Sequence, residues 1–128
     1  MADPKKCRFA KSHEWLCSEG GQTVVGISDH AQHEITDIVF VELQKVGRKV
    51  AAGEACAVVE SVKAAFDIYA PVSGEILTVN SDVVKEPAVV NQSPYEKGWF
   101  FTLKPSDPKE VDALMDHAKY EEFLKAAA

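Results

Sequence analysis

The residue in this sequence with the clearest potential for chemistry is Lys63. Two apolar, β-rich runs, 55–59 and 65–70, flank a polar tip, and this pattern predicts a β-hairpin with Lys63 near its turn. Small neighbours, Ser61 and Ala64, leave the amine accessible to a modifying enzyme. Such a lysine suits a swinging prosthetic group, but the chain has 12 lysines, and an exposed lysine more often serves solubility alone.

Histidines and acids elsewhere are weaker candidates. His30 and His33 lie three residues apart on a predicted short helix, but two histidines without a third ligand are a weak zinc signal. His13 adjoins Glu14, and strand alternation predicts that its side chain points away from the Glu14 side. The sequence contains no nucleophile elbow, zinc-protease helix or glycine-rich phosphate loop, so it does not favour a hydrolase or a metal enzyme.

Length and charge restrict the remaining classes of function. The chain has 128 residues, which suits one domain, and a net charge of −6. An acidic chain is a poor partner for nucleic acid or an anionic membrane, because both attract basic surfaces. Cys7, Cys17 and Cys56 are widely spaced and form no C-x-x-C pair, as expected for small apolar residues in a reduced intracellular protein.

The elements that must position Lys63 are mostly strands. Valine outnumbers leucine by 16 to 6, and short β-rich runs alternate with turns, which is typical of a small barrel or sandwich. Besides the hairpin, early strands are predicted within 7–27, around the apolar run 15–17 and over 22–27, and later strands over 37–43, 75–79 and 98–104. A loop containing Pro87 and Pro94 is predicted before the last strand.

Helices are predicted at two places. Ser28 or Asp29 begins a short helix that extends to about Ile35. From Ser106 the apolar spacing changes to that of a helix, with Pro108 in its first turn. We therefore expect a single domain over 1–128, with a β-module at about 8–104 and C-terminal helices at 106–126.

Several motifs, in order along the chain, resemble those of the glycine cleavage H-protein family. They extend over most of the chain, from about residue 8 to residue 124. They are SHEW at 12–15, GISDHAQ at 26–32, VFVEL at 39–43, ESVKA at 60–64, DIYAPVSGE at 67–75, VN at 90–91, SPY at 93–95 and GW at 98–99. One such motif would be weak, but the ordered set is very specific.

This resemblance implies a mainly β, barrel-sandwich hybrid fold of the biotinyl/lipoyl-carrier type, with a short internal helix and a C-terminal helical segment. It also implies that lipoate is attached covalently at Lys63 and that the protein is not itself an enzyme. The implied role is a carrier in glycine catabolism and one-carbon metabolism.

The partners implied by the resemblance are the enzymes of the cycle. A pyridoxal-phosphate glycine decarboxylase loads an aminomethyl group, a folate-dependent aminomethyltransferase removes it, and a flavin dihydrolipoyl dehydrogenase takes up the reducing equivalents. A lipoate-attaching enzyme is also implied. The alternative is an H-like lipoyl relay protein that serves lipoate transfer to other enzymes.

The resemblance further implies a cleft for the loaded arm. Ser12, Glu14 and Asp67 match family positions that line such a cleft, where hydroxyls and carboxylates would stabilise the cationic cargo. Without the resemblance, Ser12 would be interpreted as a turn cap and the two acids as solvated surface groups.

One more wall of the implied cleft lies on the predicted short helix. His30 matches the family in its Asp-His-Ala-Gln setting. The family often also has a histidine or an acid shortly after this motif, near the arm. Here that stretch contains His33 and Glu34, and the sequence does not decide which of the two faces the arm.

Two other carriers share the implied fold. In a biotin carrier, methionines flank the modified lysine, whereas in this chain Val62 and Ala64 flank Lys63. A lipoyl domain of a 2-oxoacid dehydrogenase acyltransferase usually has Asp before the lysine, whereas this chain has Val62 there. The N-terminal segment 1–9 is short and polar and has no apolar signal core, as a mature organelle protein would also show. Because a bacterial cytoplasm suits the Met1 start, we expect a bacterial cytoplasmic location, or the mitochondrial matrix for a eukaryotic source.

Overall fold

The computed structural model describes residues 3–19 and 21–127, and strands provide its framework. In chain order the strands are β1 (Arg8–Phe9), β2 (Glu14–Glu19), β3 (Gln22–Ile27), β4 (Ile38–Leu43), β5 (Lys49–Val50), β6 (Ala55–Ser61), β7 (Ala65–Tyr69), β8 (Gly74–Val79) and β9 (Phe101–Pro105). In the described ranges they form two antiparallel sheets, one in the order β1-β2-β3-β9-β8-β5 and one in the order β4-β6-β7. The mainly β class predicted from the sequence is confirmed.

Short helices join and cover these sheets. They are a 3-10 helix (Pro4–Lys6), α1 (Asp29–Ile35), α2 (Ser81–Lys85), α3 (Ala88–Gln92), α4 (Pro108–Asp112) and α5 (His117–Ala127). Among the helices described, none combines the length and apolarity that a bilayer crossing requires.

The segment that was predicted as a loop around Pro87 is helical, so that prediction was wrong. The Asn80 side chain accepts a hydrogen bond from the Asp82 N–H at 3.2 Å, which caps α2. Pro87 has a helical φ of −56° and precedes α3, where its missing N–H costs nothing. The capping signal at Asn80 was present in the sequence, but each helix has only five residues and therefore gives little periodicity.

Helix α1 begins and ends at well-defined contacts. The Ser28 hydroxyl accepts the Ala31 N–H at 3.1 Å, as predicted for the N-cap. At the other end, the Asn91 amide donates to the Thr36 carbonyl at 2.8 Å and accepts the Ile38 N–H at 2.9 Å. Asn91 therefore joins α1, β4 and α3 at one point.

The buried apolar side chains form two clusters. The larger lies between the two sheets and includes Val59, Ile68 and Phe101. The smaller lies where α5 packs on β1 to β3 and consists of six buried residues, Cys7, Phe9, Trp15, Cys17, Val24 and Tyr120. The predicted C-terminal helical segment therefore packs on the β-module through a cluster of its own.

Candidate functional site

Lys63 lies at the tip of the β6–β7 hairpin, and the prediction of this hairpin is confirmed. The strands pair from Ala55↔Tyr69 to Glu60↔Ala65. Lys63 and its neighbours Val62 and Ala64 are exposed, Val62 at 72%. The amine is therefore presented to solvent by a short turn on a paired base.

The shape of that turn depends on Ser61, which is 8% exposed. Its hydroxyl oxygen accepts the N–H groups of Lys63 at 3.1 Å and of Ala64 at 3.3 Å. Its backbone N–H donates to the Ala64 carbonyl at 2.9 Å. A serine that satisfies the turn amides in this way holds the tip in one conformation, a contribution that its small size alone did not reveal.

A cleft of about 310 Å³ opens beside β7 and is lined by two of the four predicted arm residues. Ser12 and Asp67 line it, as do Phe66 and Ile68 of β7 and Ala31, Glu34 and Ile35 of α1. Of the two residues that the sequence left undecided, Glu34 lines this cleft, whereas His33 lines a neighbouring cavity. Asp67 is exposed, and its carboxylate is thus available to a ligand in the cleft.

Glu14 lies within the protein, next to the cleft. It is 1% exposed, and its carboxylate accepts hydrogen bonds from the Ser12 hydroxyl and, at 3.1 Å, from the Tyr69 N–H. Burial raises the pKa of this carboxyl above its usual value, although both hydrogen bonds lower it. The solvated surface acid of the alternative interpretation is therefore not what the structure shows.

His13 also lines the cleft. Its ring contacts Tyr120 and His30, whereas Glu14 contacts Ser12 and the Tyr69 N–H, in agreement with the prediction that His13 points away from the Glu14 side. His13 precedes β2 and has a left-handed φ of 77°. Its Nδ1 lies 2.8 Å from the Tyr120 hydroxyl. Burial and the nearby His30 lower the pKa of His13.

His30, which was predicted to line the arm cleft, does not line it. The centroids of the His30 and His13 rings lie 4.8 Å apart, and His30 lines the neighbouring cavity of about 390 Å³ together with His33 and His117. In the described part of the chain, no group of three or more histidine, cysteine or acidic side chains is arranged to hold a metal ion.

The cysteines belong to the buried clusters and do not line the cleft. Cys7, Cys17 and Cys56 are all buried. Burial raises the pKa of the Cys56 thiol to about 12, so this thiol is protonated at neutral pH and is a poor nucleophile.

The chain is similar to proteins of one family over almost its whole length. A sequence model described as glycine cleavage H-protein matches residues 7–127. The glycine cleavage system H protein of Thermus thermophilus is 53% identical over 128 residues, covering 100% of both chains. That of Parvibaculum lavamentivorans is 51% identical over 119 residues, which cover 93% of this chain and 95% of the relative.

A solved structure shows the same architecture. The crystal structure of a glycine cleavage system H protein from Mycobacterium marinum superposes with a TM-score of 0.83 at 35% identity, covering 92% of this chain and 95% of that chain. This likeness confirms the barrel-sandwich hybrid fold that the motifs implied.

Proposed function

Because the chain belongs to the glycine cleavage H-protein family, we propose that it carries lipoate on Lys63 and shuttles the aminomethyl group from glycine decarboxylase to the folate-dependent aminomethyltransferase. Reducing equivalents then pass to dihydrolipoyl dehydrogenase. The protein is a carrier and not an enzyme: the chemistry of each step belongs to a partner.

The observation that carries this proposal is the exposed lysine at the tip of a rigid hairpin. Ser61 holds the turn, and Ala64 adds almost no bulk beside the amine. An attaching enzyme can therefore reach the Lys63 amine without unfolding any part of the domain. Tethering also gives each partner a high effective concentration of the carried group.

The cleft is close enough to the tip to receive an arm attached there. Asp67 follows Lys63 by four residues on the same hairpin, so the chain between them spans at most about 14 Å. When attached, the lipoyl group would supply a cyclic disulfide as the electrophilic acceptor of the aminomethyl group. Ser12, Asp67 and Glu34 offer the arm hydroxyl and carboxylate groups at the cleft surface.

The charges around the cleft suit a cationic cargo. Glu34 and Asp67 are acids at its lining, and Glu14 lies directly behind Ser12. An ammonium group gains most from carboxylates where water is partly excluded. These acids favour a carrier of an aminomethyl cargo over a relay that only passes lipoate on, because the relay needs no cation site.

The proposal is tested by intact-mass measurement after expression with lipoate and a lipoate ligase. We expect the wild-type chain to gain the mass of one lipoyl group and Lys63→Arg to gain none, because the guanidinium is not a substrate for amide formation. Lys45→Arg, at another exposed lysine, is the matched control and should be modified like the wild type.

Modification of Lys63→Arg would place the attachment site elsewhere. An unmodified wild-type chain, in an experiment in which a known lipoyl domain is modified, would refute the carrier role.

A further inference from the structure

The hydroxyl of Tyr120, on the C-terminal helix α5, lies between His13, which lines the cleft, and Ser28, which caps α1. It is 2.8 Å from Nδ1 of His13 and 2.7 Å from Oγ of Ser28. Tyr120 is 2% exposed and stacks on Phe9, with ring centroids 4.3 Å apart and planes 3° from parallel. The hydroxyl of Tyr120 is therefore held in place by the packing of the smaller buried cluster.

Proton counting decides the direction of these hydrogen bonds. The Ser28 oxygen already accepts the Ala31 N–H at 3.1 Å. If Tyr120 also donated to Ser28, the hydroxyl proton of Ser28 would be buried without an acceptor among these contacts. An unsatisfied buried donor costs folding free energy. If instead Ser28 donates to Tyr120 and Tyr120 donates to His13, each of the three groups is satisfied.

This arrangement selects one form of His13. When Nδ1 accepts a hydrogen bond, the proton of the neutral ring must be on Nε2. The imidazolium form would carry a proton on Nδ1 and would lose this hydrogen bond. Of the titratable groups that face His13, His30 lowers its pKa and Glu34 raises it, while Tyr120 is itself held protonated by burial, which raises its pKa to about 12.

The backbone of His13 is fixed by the same group of contacts. Its N–H donates to the Ala10 carbonyl, and its carbonyl accepts the Ser28 N–H, both at 2.9 Å. These bonds support the left-handed φ of 77°, which few residues other than glycine adopt. The ring is therefore directed into the cleft wall from both the backbone and the side chain.

We propose that Tyr120 is a positioning residue of the arm cleft: by donating to Nδ1 it holds His13 as the neutral tautomer, so that the wall beside the cationic cargo carries no positive charge. The consequence for the cargo rests on the proposed function, whereas the tautomer of His13 does not. A helix near the end of the chain thus determines the charge of a cleft that is built by the turn before β2, the end of β3, α1 and β7.

The first test is nitrogen NMR of the unmodified full chain. The shifts of the two His13 ring nitrogens should show a bare Nδ1 and a protonated Nε2 in the wild type. In Tyr120→Phe, which keeps the ring stacked on Phe9, we expect both tautomers to be populated and the His13 titration to move to higher pH.

The matched control is Tyr95→Phe. It removes a hydroxyl that accepts the Asp29 N–H at the start of the same helix, α1, at 3.1 Å, so it disturbs α1 without touching His13. Its His13 spectrum should match that of the wild type. A protonated Nδ1 in the wild type, or an unchanged His13 spectrum in Tyr120→Phe, would overturn the proposal.

The second test measures how fast the lipoylated chain loses its aminomethyl cargo in water. Tyr120→Phe should lose it about two- to tenfold faster, the change that one lost hydrogen bond produces. His13→Asn, chosen because asparagine tolerates a left-handed backbone, should abolish the effect of Tyr120→Phe in the double variant.

The outcomes separate the two proposals. An undiminished effect of Tyr120→Phe in the His13→Asn background would mean that Tyr120 acts through Ser28 and α1, which refutes the role through His13. If lipoate does not attach to Lys63, the proposed function fails, but the NMR result still decides the tautomer of His13.

Discussion

At the scale of single residues, Glu14 shows how burial changes what a carboxylate can do. Its two oxygens are engaged by the Ser12 hydroxyl and the Tyr69 N–H, yet its pKa is raised because the side chain is removed from water. A carboxylate in this state gains more from an approaching cation than a solvated one does. This supports a role for Glu14 in cargo binding even though its side chain is 1% exposed.

We predict that Glu14→Gln changes how the stability of the unmodified chain depends on pH. Because the folded pKa of Glu14 lies above its unfolded value, the wild type keeps the full contribution of this group below the unfolded pKa. It loses that contribution as pH rises through the folded pKa. Denaturant unfolding from pH 3.5 to 8 should therefore show Glu14→Gln gaining stability relative to the wild type as pH rises.

Glu34→Gln is the control for this prediction, because Glu34 is an acid of the same cleft with a side chain 70% exposed. Its stability difference from the wild type should vary little over the same pH range. A difference between Glu14→Gln and the wild type that is constant with pH, or that changes in the opposite direction, would contradict the raised pKa.

At the scale of the elements, the close approach of β8 and β9 depends on Gly74. A Cβ at this position would collide with the backbone oxygen of Lys104 and would lie 3.0 Å from Cγ of Leu103. Gly74 also pairs with Val50 of β5 and Pro105 of β9. Three strands of the larger sheet therefore meet where no side chain fits.

We predict that Gly74→Ala destabilises the fold by about 3 kcal/mol, because the obstacle is backbone and cannot rotate away. Urea unfolding measures this loss. Gly53→Ala separates steric overlap from backbone strain: Gly53 has a φ of 84° and no neighbour within 4 Å of a Cβ. It should cost about 1 kcal/mol. Equal losses in the two variants would show that overlap with Lys104 is not the cause.

At the scale of the whole molecule, the two buried clusters stabilise different parts of the fold. The larger holds the sheets together, and the smaller attaches α5 to β1, β2 and β3. Phe9 is central to the smaller cluster, because it is 1% exposed, stacks on Tyr120 and exchanges two backbone hydrogen bonds with Met115. The position of the Tyr120 hydroxyl beside His13 thus depends on the apolar packing of the smaller cluster.

We predict that Phe9→Ala costs about 3–5 kcal/mol of stability, the usual range for deleting a buried phenylalanine. Thermal and urea unfolding should both report it. Leu77→Ala, at a leucine that is 43% exposed on β8, should change stability by no more than about 0.5 kcal/mol. A Phe9→Ala loss as small as that of Leu77→Ala would mean that α5 contributes little to the folded state.

The accuracy of the sequence predictions follows the range of the interactions involved. The hairpin around Lys63 and the helix capped by Ser28 were predicted correctly, because turn residues and caps act on their immediate neighbours. The helices at 81–92 were predicted as a loop, since five-residue helices have almost no period to detect.

The sequence alone therefore determined the family resemblance, the β framework and the exposed turn that presents Lys63, because each depends on local pattern. Only the tertiary structure decided that Glu34 rather than His33 lines the cleft, that Glu14 is buried, and that Tyr120 contacts His13. Tyr120 lies 107 residues from His13 along the chain, and such a contact exists only after the sheets and α5 have packed. Burial and long-range contact set the charge of a group, and neither is a property of the residue type.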